Sequence, residues 1–280
     1  LALTFPLMTL FTAIGTLVGV GAAARLSIVL GMKDIKWARN ILGNAFILTF
    51  ILSIIVTSIA LIYLPEILTA FGGSPQTLPY AIDYLRIVIP GSVLINLSYS
   101  FSNMMRASGY PHKSMYTLLI GVTMNVILDP IFIFGMEMGI KGAAIASVIA
   151  EAASLLFFLI YTYITVNLKK YGLNRLRSFD PVLLMRILSI SCFTMLQYFL
   201  SMATWFVFFV AVERLGQREL AIANIVRSIY IVMLIPVNAL ATTTNSLVSN
   251  AIGAGGINYV MPLINKIGRF SFLIMLGLVI

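Results

Sequence analysis

An all-α, polytopic bundle of transmembrane helices is the fold class this sequence predicts, on three observations. Of its 280 residues, 60% are hydrophobic and only 10% charged, against about 25% charged in an average soluble domain. The apolar residues run on without the alternation of a barrel strand, so helices are the form that satisfies their backbone in lipid. Turn chemistry falls between runs of spanning length, at Gly31-Met32-Lys33-Asp34, Gly72-Gly73-Ser74-Pro75, Gly109-Tyr110-Pro111 and Gly253-Ala254-Gly255-Gly256.

About 20 apolar residues cross a hydrocarbon core of roughly 30 Å. Eight stretches qualify: 1–30, 40–64, 82–105, 114–136, 141–166, 182–212, 220–252 and 258–280. The first is too long for a signal peptide and leads straight into the bundle. Leu1 and Ile280 both fall inside apolar runs, so the chain reads as part of a larger bundle.

Lys and Arg are shared unequally between the two ends of these spans. One side holds Lys33, Lys36, Arg39, Arg106, Lys113, Lys169, Lys170, Arg175, Arg177, Arg186, Lys266 and Arg269, and the other only Lys141, Arg214 and Arg218. Arg25, Arg86 and Arg227 lie inside or at the edges of spans. The positive-inside rule makes the rich side cytoplasmic, so loops 31–39, 106–113 and 167–181 are expected there, with the protein multi-pass in the plasma membrane. The net charge of +9 is therefore a topology signal facing the bilayer, and nucleic acid is not an expected partner.

Composition also removes several chemistries. Cys192 is the one cysteine and His112 the one histidine, which leaves no disulfide framework, no cysteine metal cluster and little for a catalytic triad. Gly19-Val20-Gly21 has neither a preceding strand nor a third spaced glycine, and no Lys-Ser/Thr follows Gly253–Gly256. Neither a dinucleotide site nor a P-loop is present, so ATP finds no engine here and no cofactor is expected. The protein does not read as an enzyme.

A weak internal repeat is visible. Shifting the chain by 222 residues aligns Ser27 with Ser249, Gly31 with Gly253, Ile35 with Ile257 and Phe50 with Phe272. Four identities over the 58 overlapping positions (280 − 222) are no better than chance. Both copies, however, read as span, small-residue turn and span in one phase, and parallel repeats are a known transporter plan. The small residues of Gly15–Ala24 and Ala239–Thr244 suit close backbone approach between helices.

Ionisable residues deep in spans are functional candidates by default. Asp129 stands out, within Asn125-Val-Ile-Leu-Asp129-Pro130. A carboxylate in the membrane interior costs about 2.5–3.5 kcal/mol on insertion scales, and it can exchange a proton for a cation. Asn125, four residues earlier, shares its helix face. Pro130 supplies no N–H to the carbonyl of Val126. Carboxylate, amide and loosened carbonyl give the oxygen ligands a hard cation prefers, so Asp129 and Asn125 would be the metal ligands in a sodium-coupled protein. Asn103, Tyr99, Glu151 and Gln197 are candidates for the substrate pathway.

The sequence resembles the multidrug and toxic compound extrusion (MATE) transporters. Specific stretches are Arg106-Ala-Ser-Gly109-Tyr-Pro111, then Asn125 to Gly135, then Gly139-Ile-Lys-Gly142-Ala-Ala-Ile-Ala-Ser147. A second set runs from Glu213-Arg-Leu-Gly216 through Ala221-Ile-Ala-Asn-Ile225 and Pro236 to the Ser249–Gly256 turn. The resemblance implies twelve spans in two six-helix lobes that alternate access. Residues 1–166 would then be first-lobe helices (spans two to six), 167–181 a cytoplasmic inter-lobe loop, and 182–280 the start of the second lobe (spans seven, eight and part of nine). It implies an ion-coupling site of Asp129, Asn125 and Ser147, completed by an aspartate of a first span outside this chain. Where sodium-type members carry a span-seven glutamate, this chain has Gln197 nearby, a departure from the pattern.

The expected function is a monomeric secondary antiporter that exports amphipathic organic cations in exchange for protons or sodium ions. A lipid-linked precursor flippase on a related bundle is the alternative, and would want more deep basic residues than this chain has. A membrane scaffold or intramembrane enzyme is the reading from another class.

Overall fold

The computed structural model describes residues 5–70, 78–165, 180–213 and 216–279, all α-helical or turn, with no strand among them. The helices are α1 (Phe5–Gly31), α2 (Ile35–Ile62), α3 (Leu64–Ala70), α4 (Leu78–Ala107), α5 (Pro111–Pro130), α6 (Gly139–Thr165), α7 (Pro181–Glu213), α8 (Gln217–Gly253) and α9 (Ile257–Val279). Seven described segments are long and apolar enough to cross a membrane, and α7 contributes a shorter apolar run, Pro181–Phe193. Every expected span is therefore a helix. The short α3 lies where the sequence suggested only a loop. Residues 166–179, most of the expected inter-lobe loop, and the turn at 72–75 lie outside the described residues.

Helix boundaries follow local chemistry. Asp34 caps α2, its side chain accepting from the Trp37 N–H, and Asp180 caps α7 by accepting from the N–H groups of Val182 and Leu183. Gly109 turns the chain after α4 with φ +87°, a region that favours glycine. Pro111 then occupies the first turn of α5, where its missing N–H costs nothing.

Helix α1 is the axis of the bundle and packs on α2, α4, α7 and α8. Gly15 and Gly19, four residues apart, lie against α4, where an added Cβ would meet the backbone of Asn96 and of Ser100. This spacing lets two helices approach closely in lipid. Asn96 fills the crossing, its Oδ1 accepting from the Gly15 N–H at 2.9 Å. Thr49 of α2 donates to Ser100 of α4 at 3.1 Å. Lipid is as apolar as the core, so small residues and hydroxyls rather than oil bind these helices together.

The alternation expected of the spans is visible in the contacts. The ends of α1, α4 and α8 meet at one pole of the bundle: Ser27 Oγ donates to the Ala107 carbonyl and Asn250 Nδ2 to the Ser27 carbonyl. The starts of α4 and α6 meet at the other, where Lys141 and Asp83 form an ion pair of 3.2 Å. Lys266 and Arg269, counted toward the cytoplasmic side, lie inside α9, within the expected span 258–280.

The repeat also becomes physical here. A Cβ on Gly31 would collide with the carbonyl of Asn250, and a Cβ on Gly253 with the carbonyl of Ile28. Adding 222 converts 31 to 253 and 28 to 250, so the two copies grip each other through equivalent positions.

Candidate functional site

Helices α4, α5 and α6 enclose the polar interior. Antiparallel α5 and α6 are in close contact: Gly142 lies against the backbone of Phe132, and Ser154 Oγ donates to the Thr117 carbonyl at 3.2 Å. Between those points α6 carries Ser147 and Glu151 alongside the Asn125–Asp129 stretch. Helix α4 packs on α6 as well, Gly91 lying against the Val148 side chain, and an open cavity of about 110 Å³ lies among the three helices. Ser98 and Ser102 of α4, Ser114, Thr117 and Asn125 of α5, and Glu151 of α6 line it, with Tyr99 and Ser154 beside them.

Asp129 and Asn125 are both half-buried, whereas Val126 and Ile127 between them are 67% and 52% exposed. At 3.6 residues per turn, those two point about 100° and 200° away from Asn125, which gives α5 an outer apolar face. The Asn125 Oδ1 and Asp129 Oδ1 atoms are each buried with no hydrogen-bond partner among the described residues. Buried acceptors are nearly always satisfied, so two orphans one turn apart mark a place built for something else. The burial of Asp129 Oδ1 turns that oxygen away from the surface.

Two expectations are refined. Asp129 lies six residues (135 − 129) before the end of the Pro111–Gly135 span, about 9 Å along the axis, and so toward one membrane face. Beyond Pro130 the helix changes pitch, with Ile131–Gly135 forming a π-helical turn. A proline that withholds an N–H and a π-turn just after it loosen the ladder beside the carboxyl, and such turns are frequent at functional positions.

The remaining candidates separate. Glu151 and Tyr99 share the cavity with Asn125. Ser147 is half-buried one turn from Glu151 but does not line it. Asn103 is 8% exposed and committed to structure: its Nδ2 donates to the Tyr99 carbonyl, and its Oδ1 accepts from Arg106. Gln197 is an exposed residue of α7, away from the cavity. Sequence reasoning missed the hydroxyls of Ser98, Ser102, Ser114, Thr117 and Ser154, which no local pattern distinguishes from packing residues. It also left Arg106 among the loop charges. Arg106 instead turns inward, donating to Ser102 Oγ (3.0 Å), Ser114 Oγ (3.1 Å) and Asn103 Oδ1 (2.8 Å).

A model of the MatE family matches residues 1–131. That stretch, a little under half of the chain, resembles the MatE family. Among curated relatives, the multidrug export protein MepA of Staphylococcus aureus is 32% identical over 174 residues, 60% of this chain and 39% of MepA. The Staphylococcus haemolyticus MepA is 34% identical over 161 residues, 58% and 36% of the two chains. The matched part thus spans less than two fifths of those relatives. Among solved structures, an outward-facing multidrug resistance MATE transporter of the MOP superfamily superposes with TM-score 0.89 at 24% identity, covering 99% of this chain and 62% of that one. A MOP-superfamily transporter from Pyrococcus furiosus, described as having a binding pocket of reverse polarity, gives the same score, identity and coverage. These two likenesses establish the MATE fold. The chain is a multi-pass membrane protein.

Proposed function

We propose that the protein carrying this chain is an ion-coupled exporter of amphipathic organic cations, with Asp129 and Asn125 as its coupling pair. The carrying observation is the pair of buried, unpartnered oxygens, Asn125 Oδ1 and Asp129 Oδ1, on one face of α5. An uncompensated carboxyl in a membrane span is a binding site for positive charge by default. The match of residues 1–131 to the MatE model and the partial match to multidrug exporters agree with that role.

The cycle follows from charge. With Asp129 ionised, the interior attracts a cationic substrate. A proton or sodium ion arriving at Asp129, with Asn125 adding an amide oxygen, cancels that attraction. The π-helical turn after Pro130 gives the segment freedom to answer the change in charge. In the full-length protein, Asp129→Asn should reduce ethidium efflux from cells to background while leaving membrane insertion intact. Efflux at wild-type rate in that variant would refute the coupling role. Collapse of wild-type efflux by a protonophore, or by removal of sodium, identifies the ion.

A further inference from the structure

Glu151 is a half-buried carboxyl within the α6 span, and no salt bridge reaches it among the described residues. The cavity it lines measures about 110 Å³. That is several times the ~10–15 Å³ one water requires and well under the ~300 Å³ at which drug-sized pockets begin. Size therefore selects a small ion with a few waters over an organic substrate. The lining supplies oxygen ligands from all three helices: the Glu151 carboxylate, the Ser98, Ser102, Ser114 and Thr117 hydroxyls and the Asn125 amide. Hard cations take such ligands.

A second, independent observation points into the same space. Ser98 is only 7% exposed, lines the cavity, and its hydroxyl has no hydrogen-bond partner among the described residues. The charged and titratable groups around Glu151 are few. Tyr99 and Arg106 act on one another, and the Glu151 charge reaches Tyr99. The Arg106 guanidinium is pinned by Ser102, Ser114 and Asn103. It stands across one end of the cavity, where its charge repels a cation. Asn125 lines the cavity near Asp129, one helical turn along α5.

We propose that Glu151 is the anchor of a second cation station, separate from Asp129, which holds a small hard monovalent cation, a sodium ion. Asn125 belongs to both stations, so a cation at Glu151 communicates with Asp129 through that amide and not past Arg106. The station's existence does not depend on the exporter role of Asp129, because binding can be measured without transport.

The test is a count of cation equivalents on the purified full-length protein. Sodium chloride is titrated calorimetrically against a choline chloride control. Glu151→Gln should bind one sodium ion fewer than wild type, and Asp129→Asn should keep the equivalent that Glu151→Gln loses. Equal sodium counts for wild type and Glu151→Gln overturn the proposal. They leave the Asp129 reading to be judged by its own variant. Where Glu151→Gln fails to fold, Ser98→Ala decides: it removes one ligand hydroxyl and should weaken the Glu151 equivalent about fivefold, the scale of one lost hydrogen bond. An unchanged sodium affinity there also overturns the proposal.

Discussion

The seam between α1 and α8 and the hollow between α4, α5 and α6 are opposite solutions to building in lipid. At the seam, glycines bring backbone onto backbone, Gly31 against Asn250 and Gly253 against Ile28. In the hollow, α4, α5 and α6 leave about 110 Å³ ringed by hydroxyls, an amide and a carboxyl. At the seam Asn250 is paired, donating to the Ser27 carbonyl. The hollow leaves Ser98 Oγ and Asn125 Oδ1 unpaired, with Asp129 Oδ1 a turn beyond. Since apolar contact carries no information about location in a membrane, the unsatisfied polar atom is the better guide to function.

Glycine substitutions break this comparison most sharply. Gly253→Ala puts a methyl into a backbone carbonyl that cannot rotate away, so the cost should reach the upper end of the roughly 1–3 kcal/mol typical of overpacking. It should appear as a clear fall in thermal melting temperature of the detergent-solubilised protein. Gly121→Ala, in the hollow, meets only the Ser154 hydroxyl at 2.7 Å, and that side chain can turn. The loss should stay near 1 kcal/mol, the worth of the Ser154 hydrogen bond to Thr117. Equal losses at the two glycines would erase the distinction between tight seam and loose hollow.

A smaller effect is expected at Thr49→Val, which deletes the α2–α4 hydrogen bond to Ser100. Interhelical bonds of this kind average about 0.6 kcal/mol in membranes, and chemical denaturation in mixed micelles resolves that range. Smallest is Lys141→Ala. Its pair with Asp83 is 55% and 46% exposed, so its removal should change stability by under about 1 kcal/mol and less in high salt. A large loss would place that pair in a less hydrated setting than the contacts indicate.

The sequence announced the spans because hydropathy is a long-range average that survives local error. It missed α3, whose seven residues are too few to establish a period. Asn125 and Asp129 were legible since four-residue spacing on one helix is a local fact. Ser98, Ser114 and Ser154 were not, because what joins them is a cavity among three helices. Arg106 was misjudged for a related reason: charge counting assigns a residue to a side of the membrane, but not the direction its guanidinium takes. The 222-residue repeat was faint in residue identity and became clear only when Gly31 and Gly253 were seen to make the same contact in exchange.

The coupling role of Asp129 is tested most directly by reconstituting the full-length protein in liposomes and imposing an inward-to-outward step in proton or sodium concentration. With wild type, the gradient should drive uphill movement of a fluorescent organic cation. With Asp129→Asn, the cation should equilibrate at most passively, with no response to either ion. Uphill movement of the cation by the Asp129→Asn protein would contradict the account.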